Sequence, residues 1–485
     1  MKKILLVVVV LLCLVAAAAG IASYRFGFET EKYYADLQQE VARSGYATLT
    51  TESYNRGVFT STFRTAVEIR PPATPGKGGE EQKGLEPLRF AAVSEVRHGP
   101  LPPFRLSDGK WQWKPVLGVI ETKIAPSGDA KSGLNEIFQK IPELASITNC
   151  ITIHLRGDSE GNLTAPAFRR TFSEDVNVRW DGFFLHYTFA SNLKGGKGSS
   201  TAPLLEVEGK DGFLSVKGAE SSGDFHEGAS GLSLGEALFR IARLEFASKE
   251  KGQEKKFFVE NLVMKASDKE AGETIDCLFQ IGIEKAGADN VPYGPAEFEM
   301  ELRKLDVASI QKLQQITREA TSKQPAGGSD EIFDALTLAR YSSILGAMLK
   351  KSPEIEINRL NFATGEGNFA GKMKIAFDGS VTPSLENPLL LLAALTAQAE
   401  ATVKDRLLEQ VLTSIHRNDL DSEGEGLDEA GLQKRAAEKT RAVLDRLMDE
   451  KLIVKESDCY RFSAKYHQGQ LTLNGRTLPL QELFK

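Results

Sequence analysis

Alternation between apolar and polar side chains constrains this chain more than any other feature of it. Ile151, Ile153 and Leu155, then Phe183, Leu185, Tyr187 and Phe189, follow a period of two. So do Cys277, Phe279, Ile281 and Ile283, and again Phe369, Met373, Ile375 and Phe377. A pleated strand turns successive side chains to opposite faces, so each run predicts one face against a core and the other in water. The connections are short and rich in Gly, Asp, Asn and Ser, as in Gly157-Asp158-Ser159-Glu160-Gly161-Asn162. Short connections suit antiparallel neighbours, because parallel strands need long crossovers.

Helical spacing is concentrated in the second half, from about residue 303. Leu338, Tyr341, Leu345 and Met348 form one apolar stripe, Leu408, Val411, Leu412 and Ile415 a second, and Leu432, Ala436, Val443 and Leu447 a third. The run from Pro388 to Leu395 is too short to span a bilayer and predicts a buried helix. The expected fold class is α+β, an extended and mainly antiparallel β structure with amphipathic helices packed on it.

The N-terminus adds an address. Ile4 to Ala22 is a run of 19 residues without a charged or strongly polar side chain. As a helix it would be roughly 28 Å long, which matches the hydrocarbon layer of a bilayer. Lys2 and Lys3 predict a cytoplasmic tip at residues 1–3, and Tyr24, Phe26 and Phe28 follow the run where an interfacial aromatic belt would sit. The expectation is a single transmembrane anchor at 4–22, with residues 23–485 outside the cytoplasm. A cleavable signal peptide competes, because Ala17-Ala18-Ala19 offers small residues for cleavage. The apolar run is longer than a usual signal core and continues through Gly20-Ile21-Ala22, which favours the anchor. Residues 71–87, PPATPGKGGEEQKGLEP, carry little apolar content and predict an exposed, mobile loop.

The charge balance narrows the partners. A formal net charge of -6 lacks the basic footprint that nucleic acid demands, so no nucleic-acid partner is expected. Cys13 falls in the apolar run, which leaves Cys150, Cys277 and Cys459. Their spacing fits neither a zinc ribbon nor a redox pair, and they read as inert thiols.

Three short patterns touch on chemistry. Gly231-Leu232-Ser233-Leu234-Gly235 matches the nucleophile elbow of hydrolases, but polar, glycine-rich sequence precedes it and strand-like alternation through Phe239, Ile241 and Leu244 follows. Asp419, Asp421 and Glu423 place oxygen ligands at alternate positions before Gly424, a weak calcium candidate whose twelfth position is Ala430 instead of Glu. The alternative there is a solvated acidic loop, with Asp428 and Glu429 at the positive end of the next helix. Gly195-Gly196-Lys197-Gly198-Ser199-Ser200 lacks the spacing of a phosphate loop and predicts a hairpin tip. No catalytic residue and no cofactor are expected.

Three motifs carry a resemblance. Ser53-Tyr54-Asn55-Arg56-Gly57-Val58-Phe59-Thr60-Ser61, then Arg97-His98-Gly99-Pro100-Leu101, then Tyr466-His467-Gln468-Gly469-Gln470-Leu471-Thr472-Leu473-Asn474-Gly475, resemble the YdgA-like family of bacterial envelope proteins over essentially the whole chain. The resemblance implies a single-span inner-membrane protein of Gram-negative bacteria with a large periplasmic part, and it lends no reaction. Gln468 stands where the family has an acidic residue. The motif residues Tyr54, Arg56, Gly57, His98, Gly99, Pro100, Tyr466, Gly469, Asn474 and Gly475 have structural readings: Arg56-Gly57 as a turn or bulge, and Gln468-Gly469 and Asn474-Gly475 as tight turns either side of a strand from Leu471 to Leu473. His98 is expected in a loop without an identifiable partner. Two functions follow. The first is a non-enzymatic envelope protein that binds or guides a hydrophobic ligand, or scaffolds other envelope proteins, with the bilayer as partner through its anchor. The second is an envelope hydrolase acting on lipid or peptidoglycan. An apolar groove lined by Phe183, Leu185 and Phe189 would speak for the first, and a polar cleft with paired carboxylates for the second.

Overall fold

The computed structural model describes residues 2–43, 47–69, 87–100, 115–127, 133–173, 176–250, 253–288, 291–323, 335–381, 387–422 and 428–479. The expected loop at 71–87 therefore lies outside the described residues, apart from Pro87. The chain divides into two compact units, Met1–Glu227 with Gln315–Ile332, and Gly228–Gln314 with Phe333–Lys485.

The first unit opens with a long helix, α1 (Lys2–Arg43), followed by β1 (Ala47–Arg56), β2 (Thr60–Ile69), β3 (Leu88–His98) and β4 (Val116–Ala125). After a short helix, α2 (Gly133–Lys140), come β5 (Thr148–His154), β6 (Ser159–Ala165), β7 (Phe168–Ser173), β8 (Val176–Trp180), β9 (Phe183–Phe189), β10 (Gly195–Gly209) and β11 (Gly212–Glu227). The strands from β1 to β6 pair antiparallel in chain order, β6 pairs with β9, and β9 with β10. The β7–β8 hairpin joins the later stretch of β10, whose other edge carries β11.

The core of this unit takes one or two residues from each of α1, β2, β3, β4 and β5: Tyr33, Phe63, Val96, Ile120, Ile151 and Ile153 are all buried. Alternation thus predicts Ile151 and Ile153 correctly, whereas Leu155 stands in the following turn and is exposed. Ser61, Thr65 and Ser94 are also buried among these residues. Their small side chains let helix α1 come close. A Cβ on Gly27 would lie 2.6 Å from the His98 ring, and one on Gly118 2.7 Å from Thr30 Oγ1, so glycine is required at both contacts.

The second unit begins with three long strands, β12 (Ser233–Glu250), β13 (Gln253–Ala271) and β14 (Thr274–Ala288), then β15 (Val291–Tyr293) and β16 (Ala296–Asp306). Helix α3 (Val307–Lys323), of which Val307–Gln314 belongs to this unit, and helix α4 (Ala335–Leu349) lead to β17 (Glu354–Thr364) and β18 (Gly367–Phe377), and helix α5 (Pro388–Ala394) to β19 (Leu395–Lys404). Helices α6 (Asp405–Ser422) and α7 (Glu429–Asp449) precede β20 (Val454–Glu456), β21 (Cys459–His467), β22 (Gln470–Leu473) and β23 (Arg476–Pro479). The order is β12-β13-β14-β16-β17-β18-β19-β21-β22-β23, antiparallel throughout, with β15 on β14 and β20 on β21. The fold is thus large antiparallel β structure with several helices.

The helix stripes need correction. In α4 the buried positions are Ile344 and Leu349, Leu345 is exposed and Leu338 lies outside the described side chains; in α6 they are Leu407 and Leu420, and Val411 and Ile415 are exposed. Three- and four-residue spacings leave the phase of a helix undecided until a neighbour chooses it. The α7 stripe is half right: Leu432 and Ala436 are buried as expected, but the buried line continues through Thr440 and Leu444, and Val443 and Leu447 are only partly buried. Helix α5 is capped by Asn387, but Leu389 is 76% exposed, so the run from Pro388 to Leu395 is not a buried helix. Gly195 to Ser200 is not a hairpin tip: it is the first stretch of β10, and the rings of Phe189 and Phe225 close over Gly196 in place of its missing side chain.

The C-terminal turns follow the sequence closely. Gln468-Gly469 joins β21 to β22 with φ of 49° and 75°, and Asn474-Gly475 joins β22 to β23 with φ of 45° and 82°. Two consecutive positive φ angles match the right-handed twist of a two-residue hairpin. A β-branched residue resists that conformation, so Gly475→Val should destabilise the protein by about 1–2 kcal/mol. Hydrogen exchange should then accelerate in β22 and β23 but not in β3 and β4; unchanged protection in β22 and β23 would contradict this account of the turn.

Candidate functional site

The N-terminal motif residues converge on the seat of helix α1. Gly57 closes the β1–β2 hairpin by donating its N–H to the Thr60 carbonyl at 2.8 Å. Tyr54 stacks on Phe63 at 5.7 Å between ring centroids, and Arg56 reaches the helix, with its guanidinium 3.6 Å above the Phe28 ring and its charge paired with Glu31. His98 ends β3 and is buried, where the sequence suggests an exposed loop. Gly99 follows it against the Phe26 ring, whose inward position removes Phe26 from the expected aromatic belt. Leu101 lies outside the described residues.

The His98 ring is held on both sides. Its Nδ1 lies 3.0 Å from the Val58 carbonyl oxygen and its Nε2 2.8 Å from Ser61 Oγ. A carbonyl only accepts, so Nδ1 carries the proton and Nε2 accepts from the Ser61 hydroxyl. Burial holds the imidazole below its ordinary pKa, and the nearby Arg56 charge adds to this. Further along α1, the Tyr33 hydroxyl meets Ser159 Oγ at 2.5 Å, and the Tyr34 hydroxyl meets Thr65 Oγ1 at 3.0 Å. Sequence reasoning missed this helix–sheet joint. Its signal was the spacing of Ser23, Gly27 and Thr30, three small residues on one helix face that hydropathy does not register.

The C-terminal motif also has structural partners. The buried Tyr466 donates its hydroxyl to the Leu392 carbonyl at 3.1 Å, joining β21 to α5. Asn474 accepts from the Ser463 N–H at 2.7 Å and donates to the Lys451 carbonyl at 2.9 Å. Position 468 is a turn with positive φ, a conformation that Asp and Asn adopt more readily than Gln.

The chemical patterns are dispersed. Leu232 and Leu234 are buried while the intervening Ser233 is exposed, and the chain after it is strand β12, without the helix a nucleophile elbow needs. Asp419 and Asp421 lie inside α6, where residues two apart do not face each other, and Glu423 lies outside the described residues. Asp428 caps α7 by accepting from the Gly431 N–H at 2.8 Å. Burial pushes the Cys150 thiol up to about 11 and the Cys277 thiol up to about 12, so neither is a thiolate at neutral pH; with Cys459 they are free. A cleft of about 570 Å³ in the first unit is lined by His154, Asp158, Glu160, Lys197, Asp224 and His226, but the Ser159 hydroxyl on its wall is engaged by Tyr33.

A coherent apolar surface lies in the second unit, where pairing register carries alternation across the sheet. One line of partners runs Met264, Ile281, Phe298, Leu360, Gly371, Ala401 and Phe462. Beside it runs Phe279, Met300, Ile357, Met373, Ala399 and Ala464. The first line crosses seven strands, and six steps between strands of roughly 4.8 Å make it about 29 Å long. No residue of either line is buried to the level of a core, and Leu360 and the neighbouring Phe362 are 39% and 38% exposed. Alternation predicts Phe279, Ile281 and Met373 to face a core, yet with their cross-strand partners they form an apolar sheet face that is only partly covered. The expected groove residues Phe183, Leu185 and Phe189 are half-buried in the other unit, where Phe189 packs against the core.

The opposite face of the same strands is ionic. Glu354 is met by Lys304 at 2.5 Å and by Lys374 at 2.8 Å, which hold its carboxyl down at about 2. Arg303 reaches Glu301 at 2.6 Å and Glu356 at 3.1 Å, Lys372 reaches Glu400 at 3.1 Å, and Asn358 donates to Glu299 and Glu301. Cross-strand pairs of opposite charge fix the register, so the apolar lines opposite them stay aligned.

Two outcomes check these assignments. Because the folded His98 is harder to protonate than the unfolded one, its contribution is full above about pH 6.5 and is lost as pH falls through the folded value. Hydrogen exchange in α1 should therefore quicken between pH 7.5 and 5.5 more in the wild type than in His98→Gln, after correction for intrinsic exchange; equal pH dependence would contradict the buried neutral imidazole. Ser233→Ala should change stability by less than about 0.5 kcal/mol and leave cellular function intact; loss of function with the fold preserved would restore the hydrolase reading. Among the described residues no helix is long and apolar enough to cross a membrane, and residues 4–16 of the apolar run lie outside the described side chains. No curated protein and no solved structure matches the chain. What does match, over residues 1–481, is the family described as bacterial protein of unknown function (DUF945), and the chain belongs to it.

Proposed function

We propose that this protein is a non-enzymatic, membrane-anchored protein of the bacterial envelope whose second unit binds the hydrocarbon chain of a lipid. The observation that carries the reading is the pair of apolar lines, one across seven strands and one across six, continuous, uncharged and only partly covered. Apolar patches of this extent on a folded surface mark places where another apolar molecule sits. A lipid chain suits a long, narrow surface that offers contact area and no hydrogen-bonding group. In this reading Ile4 to Ala22 spans the inner membrane with the N-terminus in the cytoplasm and the bulk of the chain in the periplasm, as the Lys2-Lys3 pair and the resemblance to YdgA-like proteins support.

Photocrosslinking tests it. A benzophenone amino acid at Phe298 or Phe362, in the full chain expressed in cells, should yield lipid adducts by mass spectrometry, whereas the same group at Glu297 on the opposite face should not. Protein adducts at Phe298 and Phe362 without lipid would support a scaffold instead, and no adduct at either position would contradict a binding role for this face.

A further inference from the structure

Helix α1 leaves the sheet beside the β1–β2 turn, and the two together expose five large apolar side chains. On the helix these are Ile21 at 73% exposure, Tyr24 at 46% and Phe28 at 47%; on the turn they are Val58 at 48% and Phe59 at 59%. We propose that the tip of the β1–β2 hairpin enters the same bilayer interface as the helix, so that the first unit stands on the membrane at two points. The proposal rests on the anchor reading above and adds a second contact to it.

The argument is one of level. A Cβ on Gly20 would lie 3.9 Å from Phe59 Cζ, so the ring packs beside Gly20. Gly20 is inside the Ile4–Ala22 run, about 3 Å along the helix from its end at a rise of ~1.5 Å per residue. If the run occupies the hydrocarbon layer up to Ala22, the Phe59 ring is at the height of the lipid and not above it. Helix α1 continues unbroken from this patch into the run, which leaves a soluble partner no way to cover the patch without also facing the run.

The tip is also held where it is. Gly57 N–H donates to the Thr60 carbonyl at 2.8 Å, His98 N–H donates to the Phe59 carbonyl at 2.8 Å, and His98 Nδ1 donates to the Val58 carbonyl at 3.0 Å. The backbone of both exposed residues is thus tied to β3, and their side chains are the parts left outside. Behind them comes the polar layer, with Arg56 over the Phe28 ring and paired with Glu31. Apolar tip, then aromatic rings, then cations is the order in which side chains cross from lipid tails through the headgroups to water.

Spin-label depth measurement decides it. In a full chain with Cys13, Cys150, Cys277 and Cys459 replaced by Ser, single nitroxides are attached at Phe59→Cys, at Val10→Cys within the run, and at Lys210→Cys as the aqueous reference. The protein is reconstituted in vesicles of phosphatidylethanolamine and phosphatidylglycerol, and collision with oxygen is compared with collision with a nickel chelate. The expected result is that positions 10 and 59 both favour oxygen over nickel relative to position 210. If position 10 favours oxygen and position 59 matches position 210, the hairpin contact is overturned while the anchor stands. If positions 10 and 59 both match position 210, the anchor reading fails and takes the hairpin contact with it. Because residue 59 is exposed, its substitution leaves folding intact, which protease resistance matched to the cysteine-free chain verifies.

Discussion

Everything in this protein depends on antiparallel register. Each strand alone alternates in its side chains, but only pairing without a slip brings Phe298 beside Ile281 and Leu360, and Glu354 within reach of Lys374. A shift of one residue would exchange the two faces of a strand and place carboxylates among the apolar lines. Where the pairing does shift, as between Glu299 and Met300 or between Ile357 and Leu360, the bulge returns the following residues to their proper face. The ionic face is therefore more than solvent-exposed decoration, since its cross-strand pairs select the register that the apolar face needs.

The first unit applies the same register to a different end. Its inward face carries small hydroxyl and glycine residues where α1 crosses, and large apolar residues around them. The close approach of Gly27 to His98 and of Thr30 to Gly118 replaces the usual interleaving of large side chains between helix and sheet. Arg56, Tyr54 and His98, spread over 45 positions of sequence, meet there because β1, β2 and β3 are successive neighbours. A joint so closely fitted makes the helix and the sheet one body, so whatever fixes the N-terminal end of α1 also fixes the sheet.

Much of the fold is legible in the sequence, and the reasons for the remainder are local. Period-two runs name strands such as β5, β9, β14 and β18, and Gln468-Gly469 and Asn474-Gly475 name their turns, because both signals depend on the chain's own backbone. What a face touches is not carried by the pattern. Cys277, Phe279, Ile281 and Ile283 alternate just as Ile151 and Ile153 do, yet only the latter become buried core residues. The seat of α1 is illegible for the opposite reason, since Ser23, Gly27 and Thr30 act through their smallness. His98 is misread as a loop residue because Gly99-Pro100 directly follows it, while its partners Ser61 and Val58 are about forty residues away.

The central claim is that the apolar face of the second unit is a surface for hydrocarbon. A structure of the full chain determined experimentally in a lipid nanodisc tests it most directly. The account predicts elongated non-protein density over the line from Met264 to Phe462, in contact with Phe298, Leu360 and Ile357. A face closed by the protein's own helices, or one bare of any density while the ionic face keeps its pairs, would contradict it.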